Sequence, residues 1–156
     1  MRKKVILAII LVGIVFLCFN YEKRGYYIEQ GYSFKEPKGW EKNYDLGTLA
    51  FFNEENYIFF IRDELKGRSY NQYYDYVKTQ IKESSSEMRV LEEKDEKSFH
   101  IIIVETKQEN EVYIIKSAFK KGRNGVCFMI SLKAPEKTFE NVEPVFDSIY
   151  KSFKLR

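Results

Sequence analysis

The stretch FHIIIVETKQENEVYIIKSAFK, residues 99–120, decides the fold class. Residues 99–107 and 111–120 are rich in β-branched and aromatic side chains, which are typical of β-strands. Only Gln108-Glu109-Asn110 separates the two runs, and so short a connection forces neighbouring strands to run antiparallel. The stretch therefore predicts an antiparallel strand pair.

Further runs of the same composition lie on both sides of this pair. Residues 88–93 precede the pair and are separated from it by Asp95-Glu96-Lys97. Residues 126–133 follow the pair after the turn Gly122-Arg123-Asn124-Gly125. Connections this short predict a meander, in which each strand pairs with the next. Nearer the N-terminus, residues 31–37 read as a short strand that Pro-Lys-Gly ends. A hairpin is predicted from residues 47–53 and 57–62, joined by Glu54-Glu55-Asn56.

Two segments have helical rather than strand periodicity. Ser69-Tyr70-Asn71-Gln72 has the form of a capping box, and an apolar stripe at steps of four and three predicts a helix that ends near residues 84–86. This stripe consists of Tyr70, Tyr74, Val77 and Ile81.

The chain closes with a second amphipathic stripe at Phe139, Val142, Phe146, Ile149 and Phe153. Pro144 would cost about 3 kcal/mol inside a helix and little in its first turn. We therefore expect the regular helix to start within residues 141–144, after a separate turn at 136–140. The whole pattern predicts an α+β fold, an antiparallel β-sheet of about six to seven strands with helices packed on its faces.

An N-terminal hydrophobic helix is predicted to precede this domain. Arg2, Lys3 and Lys4 lead into an unbroken apolar run, residues 5–19, which makes residues 1–20 a signal peptide or membrane anchor. The exit, Leu17-Cys18-Phe19-Asn20, lacks the small residues of a cleavage site, which favours a retained anchor in the plasma membrane with the domain outside. Lipidation at Cys18 is the alternative, although Leu17 departs from the bacterial lipoprotein pattern.

The charge balance argues against nucleic acid as a partner. The chain has 26 basic and 23 acidic residues, and three of the basic ones precede the first acid, Glu22. The rest of the chain is therefore electrically balanced, without the excess positive charge of a nucleic-acid-binding domain.

The residues that carry catalytic or metal chemistry are scarce. One His and two Cys cannot build a Cys/His zinc site or a disulfide framework, and no phosphate-binding glycine motif or nucleophile elbow occurs, so we expect no metal, cofactor or catalytic residue. His100 lies in an apolar strand, Cys127 reads as a small buried hydrophobe, and the pairs Glu54/Glu55 and Glu92/Glu93 read as solvated charges.

Aromatic residues are the one compositional excess, at 17% of the chain. Tyr73 and Tyr76 fall beside the apolar stripe of the first helix, so they are candidates for an exposed binding pair, and Trp40 is a third candidate. The alternative for all three is a structural role, as a second packing surface or as a plug after the turn.

The order of elements resembles the PsbP-like family over residues 26–156. The resemblance rests on Gly31-Tyr32-Ser33-Phe34 leading to Pro37-x-Gly39-Trp40, and on the closing Phe146-x-x-Ile149-x-x-Ser152-Phe153. These are packing and turn residues, so the resemblance implies a docking scaffold and transfers no functional residue.

The expected function is therefore that of a membrane-anchored, extracytoplasmic, non-enzymatic protein that docks on an unknown protein of the bacterial envelope. The alternative is a module that binds a small ligand or cell-wall glycan through exposed aromatic residues. A hydrolase built on His100 or a carboxylate pair is a third hypothesis, with no motif to support it.

Overall fold

The computed structural model describes residues 26–29, 31–44, 48–84 and 88–156. The predicted N-terminal helix, with Cys18 and the membrane anchor, lies outside the described residues. The described part falls into two compact units, the first formed by residues up to Glu36 with Lys151–Arg156 and the second by Pro37–Tyr150. Among the described helices, none is long and apolar enough to cross a membrane.

The elements follow one another along the chain as strands, a helix, a meander and a closing helix. The described strands are β1 (Tyr26–Glu29), β2 (Tyr32–Lys35), β3 (Glu41–Asn43), β4 (Ala50–Asn53), β5 (Asn56–Glu64), β6 (Arg89–Glu96), β7 (Phe99–Gln108), β8 (Glu111–Lys121), β9 (Val126–Pro135) and β10 (Lys154–Leu155). The described helices are α1 (Tyr70–Ser84), between β5 and β6, and α2 (Glu136–Ser152), between β9 and β10.

The second unit contains a seven-stranded antiparallel sheet with the strand order β3-β4-β5-β9-β8-β7-β6. The predicted meander, β6 to β9, and the predicted hairpin of β4 and β5 are both confirmed. The hairpin joins the meander through β5, which pairs with β9 from Tyr57 opposite Lys133 to Glu64 opposite Val126. In this order β4, β5, β9, β8 and β7 each have a neighbour on both sides, and β3 and β6 are the edge strands.

The first unit contains a separate three-stranded sheet, in which β2 lies between β1 and β10. The predicted strand at residues 31–37 is therefore real, but it belongs to this small sheet. Tyr32 stacks on Phe153 with ring centroids 5.4 Å apart, and the Lys35 amide donates to Ser152 Oγ at 2.8 Å. These contacts fix the C-terminal residues beside β2 over a separation of more than a hundred positions.

Helix α1 begins as the capping box predicts. The Ser69 amide donates to Gln72 Oε1 at 2.8 Å, and the Gln72 amide donates to Ser69 Oγ at 3.3 Å. This reciprocal pair satisfies two amides that a helix start leaves without partners.

Helix α2 corrects the predicted start. It runs unbroken from Glu136, and Pro144 lies inside it instead of in its first turn. Pro144 and Glu140 are both exposed, so the Glu140 carbonyl, which has no Pro144 amide to accept from, can be hydrated. The first turn of α2 is also hydrogen-bonded to β5, because Thr138 Oγ1 donates to Asn56 Oδ1 at 2.8 Å.

Side chains alternate along each strand, so the seven-stranded sheet has two distinct faces. We call the face that packs on α2 the closed face. Its central side chains are fully buried, and they belong to Ile58, Ile101, Ala118, Ile130 and Leu132. The buried α2 residues are Phe146, Ile149 and Tyr150, and the Tyr150 ring meets Phe99 edge-on at 5.4 Å.

Candidate functional site

Helix α1 covers only part of the opposite face. Beneath it lies a buried cluster, which we call the α1 cluster, formed by Leu65, Tyr73, Ile102, Val104, Phe119 and Cys127. Half-buried residues of α1 pack against this cluster, among them Tyr70, Tyr74, Val77 and Ile81, so the apolar stripe predicted for the helix is confirmed. The strand residues of the cluster lie on β7, β8 and one end of β9, Leu65 directly follows β5, and Tyr73 comes from α1.

The rest of this face, which we call the open face, lies across β4, β5, β9 and β8. The strand register continues from the α1 cluster along β9 to Met129 and Lys133, which pair with Ile61 and Tyr57 of β5. The open face consists of Phe52, Tyr57, Phe59, Ile61, Tyr113, Ile115, Met129 and Lys133. Tyr57 is 46% exposed and the others are half-buried, whereas the closed face behind them is sealed.

The composition of the open face is unusual for an uncovered sheet surface. Antiparallel sheets that face water on one side carry polar residues there. Here seven of the eight residues are apolar, and on β9 Lys133 and Ser131 lie between Tyr57 and Phe59 of β5 and the residues of β8. Between them lie two small buried residues, Ser117 and Ser131, whose hydroxyl oxygens are 2.7 Å apart. A partly exposed sheet face that is mostly apolar is typical of binding surfaces.

Polar groups gather where the open face meets the β7–β8 hairpin. Lys133 Nζ donates to Gln108 Oε1 at 2.6 Å and lies 4.6 Å from the centre of the Tyr113 ring. The Tyr113 hydroxyl donates to Glu111 Oε2 at 3.1 Å, which raises the pKa of Tyr113. A cavity of about 560 Å³ opens here, lined by Gln108, Glu109, Glu111 and Tyr113.

Of the two hypotheses for Tyr73, its burial contradicts the exposed binding role and agrees with the packing role. Tyr73 is buried in the α1 cluster, and its hydroxyl donates to Asp63 Oδ2 at 2.7 Å. It lies three positions after Tyr70 and four before Val77, so it belongs to the same face of the helix as the predicted stripe. The apolar stripe of a core-facing helix spans more than 100° of its circumference, and the predicted stripe was too narrow because it left out Tyr73.

The other two candidates lie on different elements. Tyr76 is 45% exposed, as predicted, with the Arg68 guanidinium 4.5 Å from its ring centre. Trp40 is half-buried and stands next to the edge strand β3, just after Gly39, whose φ of +77° suits glycine in the turn. The elements that carry Trp40 and Tyr76 do not bring them to the open face, so their binding roles stay predictions.

His100 and Cys127 do not form a nucleophile and its base. The His100 ring is stacked between Tyr70 and Tyr74, at 5.2 and 4.9 Å, and its Nδ1 is hydrogen-bonded to Asp95 Oδ1. Cys127 is buried, as predicted, and burial raises the pKa of its thiol to about 12. At neutral pH the thiol is therefore protonated and a poor nucleophile.

The thiol and the phenol groups in and around the α1 cluster predict that the fold becomes less stable at alkaline pH. Burial raises the pKa of Cys127 and of Tyr74 to about 12 each, and it raises the pKa of Tyr70 and Tyr73 as well. Between the ordinary thiol pKa of about 9 and the folded value, only the unfolded chain loses the proton. The free energy of unfolding is thus at its full value below pH 9. It should fall as pH rises toward 12, by up to about 1.4 kcal/mol per pH unit for the Cys127 thiol, and the partly exposed tyrosines should add a smaller decline above pH 10.

Urea unfolding at pH 7, 9, 10 and 11 measures this effect. The variant Cys127→Ala is the control, because it should flatten the decline between pH 9 and 10 while the tyrosines still contribute at higher pH. A free energy of unfolding that stays constant from pH 7 to 11 would contradict the prediction.

One charged site was not predicted from the sequence. Lys116, on the closed face, is 2% exposed, and its Nζ donates to Glu143 Oε1 at 2.6 Å and to Asp147 Oδ1 at 2.8 Å. Both carboxylates come from α2, so the three charges join the helix to the sheet. The only sequence signal was the spacing of the two acids, one helical turn apart on α2.

No protein-family model matches the chain, and no curated protein matches its sequence. Solved structures do match. The solution structure of cyanobacterial PsbP (CyanoP) from Synechocystis sp. PCC 6803 is 18% identical, with a TM-score of 0.52, covering 84% of this chain and 91% of that one. LpqN of Mycobacterium tuberculosis, described as involved in cell envelope biogenesis, is 9% identical, with a TM-score of 0.58 and coverages of 81% and 86%.

A third structure, the putative regulator PA94 from Pseudomonas aeruginosa, a protein of unknown function, is 11% identical, with a TM-score of 0.57 and coverages of 78% and 88%. Identities this low speak to the fold alone. The order of elements, the meander and the closing helix agree with the resemblance drawn from the sequence. This chain has the PsbP-like fold.

Proposed function

We propose that this protein is a non-enzymatic domain, tethered to the outer side of a bacterial cell membrane, that docks a protein partner through the open face. The observation that carries the proposal is the half-covered sheet. One face packs on α2, and the other presents partly exposed aromatic and aliphatic side chains from four strands beside α1. A surface that is neither buried within the fold nor polar is best explained by a partner that covers it.

The shape of the open face favours a macromolecule over a small ligand. Its residues extend over four adjacent strands, which at about 4.8 Å between strands spans roughly 14 Å across the sheet. Tyr57 and Tyr113 are large, rigid side chains with polar tips, and such residues are enriched at protein interfaces.

The location rests on the sequence. The cationic start at Arg2-Lys3-Lys4 and the apolar run 5–19 support a tether with the domain outside. The fold likeness to LpqN, a protein described as involved in cell envelope biogenesis, is consistent with an envelope role.

Site-specific photocrosslinking in living cells tests the docking surface. Two tyrosines with nearly equal exposure make a matched pair, Tyr57 on the open face at 46% and Tyr76 on α1 at 45%. A photoreactive phenylalanine analogue replaces each in turn in the full-length protein. We expect a discrete adduct from position 57 and none from position 76, because only the open face is covered by the partner.

The alternatives give different patterns. An adduct from position 76 alone would move the docking surface to α1, as the sequence first indicated. If neither position gives an adduct with an envelope protein, protein docking by this domain is contradicted.

The cavity at the β7–β8 hairpin supports a second candidate, a module for a small ligand or cell-wall glycan. Its volume of about 560 Å³ lies within the usual range for ligand sites. The Tyr113 ring offers a stacking surface, and Gln108, Glu109 and Glu111 offer polar groups for hydroxyls. Titration with cell-wall glycan fragments tests this candidate, and Tyr113→Ala should abolish any binding at this cavity. Binding that survives the substitution would place the ligand elsewhere.

A further inference from the structure

Two lysines on adjacent strands of the sheet have opposite environments. Lys116 of β8 points to the closed face, and Lys133 of β9 points to the open face, where it pairs with Ile115 in the strand register. Lys116 is neutralised by the carboxylates of Glu143 and Asp147. Lys133 contacts the side-chain amide oxygen Oε1 of Gln108 and the Tyr113 ring, and neither group carries a formal charge.

Lys133 is thus a half-buried cation beside an apolar surface without an anion among its described contacts. Partial burial removes some of its hydration, and an ion pair offsets that cost better than a neutral amide does. A partner that covers the open face would bury Lys133 further, so it must supply a negative charge there or leave the ammonium uncompensated.

The closed face shows how this sheet satisfies such a lysine. Helix α2 sets its buried Phe146 and Ile149 on the sheet and places Glu143 and Asp147, one turn apart, on Lys116. On the open face Phe59, Ile61 and Ile115 provide apolar side chains and Lys133 provides a cation, but none of the helices that the structure describes supplies the matching carboxylates there. An α-helix is about 10 Å wide, which fits within the four strands of the open face.

The geometry points to an amphipathic α-helix of the partner, with a carboxylate beside its apolar stripe, as the occupant of the open face. This inference rests on the function proposed above and gives the chemistry of the docked segment. Lys133 selects the acidic helix, and the apolar residues supply the contact area.

The probes are two fluorescent amphipathic peptides of roughly 18 residues, identical except that one carries Glu and the other Lys beside a Leu stripe. Each is titrated against the full-length protein in nanodiscs of neutral lipid, with empty nanodiscs as the baseline. We expect the Glu peptide to bind at least about tenfold more tightly than the Lys peptide. In Lys133→Glu the preference should reverse.

Lys107→Glu is the matched control. Lys107 is an exposed lysine of β7, and it points away from the open face because its neighbour Gln108 contacts Lys133. The control should keep the native preference for the Glu peptide. Equal affinities for the two peptides, a preference that Lys133→Glu leaves unchanged, or no binding of either up to about 1 mM would each overturn the inference.

The two proposals fail in distinguishable ways. If position 57 crosslinks to an envelope protein while the peptides show no charge preference, docking stands and the acidic helix is wrong. If the peptides discriminate as expected and position 57 gives no adduct in cells, the open face selects acidic helices but the proposed docking function is wrong.

Discussion

The double substitution Glu143→Gln with Asp147→Asn is expected to lower the free energy of unfolding by about 3–5 kcal/mol. Lys116 is buried, with 3% of its side chain exposed, and these two carboxylates neutralise it. Removing both leaves an ammonium group in the interior with only neutral amide partners, and an uncompensated buried charge is among the costliest defects in a fold.

Replacing the lysine itself should cost far less. In Lys116→Met the apolar stem keeps its contacts with the sheet and with the Phe146 and Tyr150 rings, which lie 5.8 and 5.7 Å from the ammonium. The side chains of Glu143 and Asp147 are 35% and 26% exposed, so water can hydrate them once the lysine is gone. We expect a change within about 1 kcal/mol.

Urea unfolding of the two variants and the native protein measures the contrast. Equal losses in both variants would mean that the ion pairs themselves stabilise the fold. A small loss in the double variant would mean that water reaches the Lys116 ammonium in the folded variant.

Much of the fold was predictable because its signals are local. The β7–β8 hairpin turns at Glu109 and Asn110, both at positive φ, where a two-residue connection between long strands requires it. The capping box at Ser69 likewise depends on residues three apart. Signals of this kind depend only on residues that are close together in the sequence.

The errors concern contacts between distant parts of the chain. Lys116 meets Glu143 and Asp147 from 27 and 31 positions away, so an isolated lysine in a strand gave no sign of its burial. The predicted helix start at Pro144 follows from the free-energy cost of a proline inside a helix. That prediction leaves out the exposure of the surrounding turn, which lets water hydrate the Glu140 carbonyl. The small sheet of β1, β2 and β10 joins the two ends of the described chain, and no local pattern indicates that pairing.

The open face could not be predicted from the sequence for a related reason. Tyr57, Phe59 and Ile61 alternate with residues of the closed face, so β5 reads as a strand with apolar residues on both sides, as a fully buried strand does. Whether α1 reaches β5 depends on its length and placement. The structure shows α1 packed on the cluster of β7, β8 and β9, and no helix among the described residues is seen to cover the apolar side of β5.

The tyrosines of α1 provide the second large prediction, as a matched pair on one helix. Tyr73→Ala is expected to lower the free energy of unfolding by about 3–5 kcal/mol, because it opens a cavity in the α1 cluster. It also removes the donor to Asp63 Oδ2 and leaves the half-buried carboxylate with the Glu64 amide, which donates to Oδ1. Tyr76→Ala removes an exposed ring and its contact with Arg68, so a loss within about 1 kcal/mol is expected.

Thermal unfolding followed by circular dichroism separates the two, since the Tyr73→Ala loss corresponds to a drop in Tm of roughly 10 °C or more. Tyr73→Phe resolves the origin of the effect. It keeps the ring and removes only the hydroxyl that bonds Asp63, so its cost should be about 1 kcal/mol. If Tyr73→Ala were as mild as Tyr76→Ala, α1 would not be packed through this face. The surface beneath α1 would then be free as well, and the open face would extend over β7.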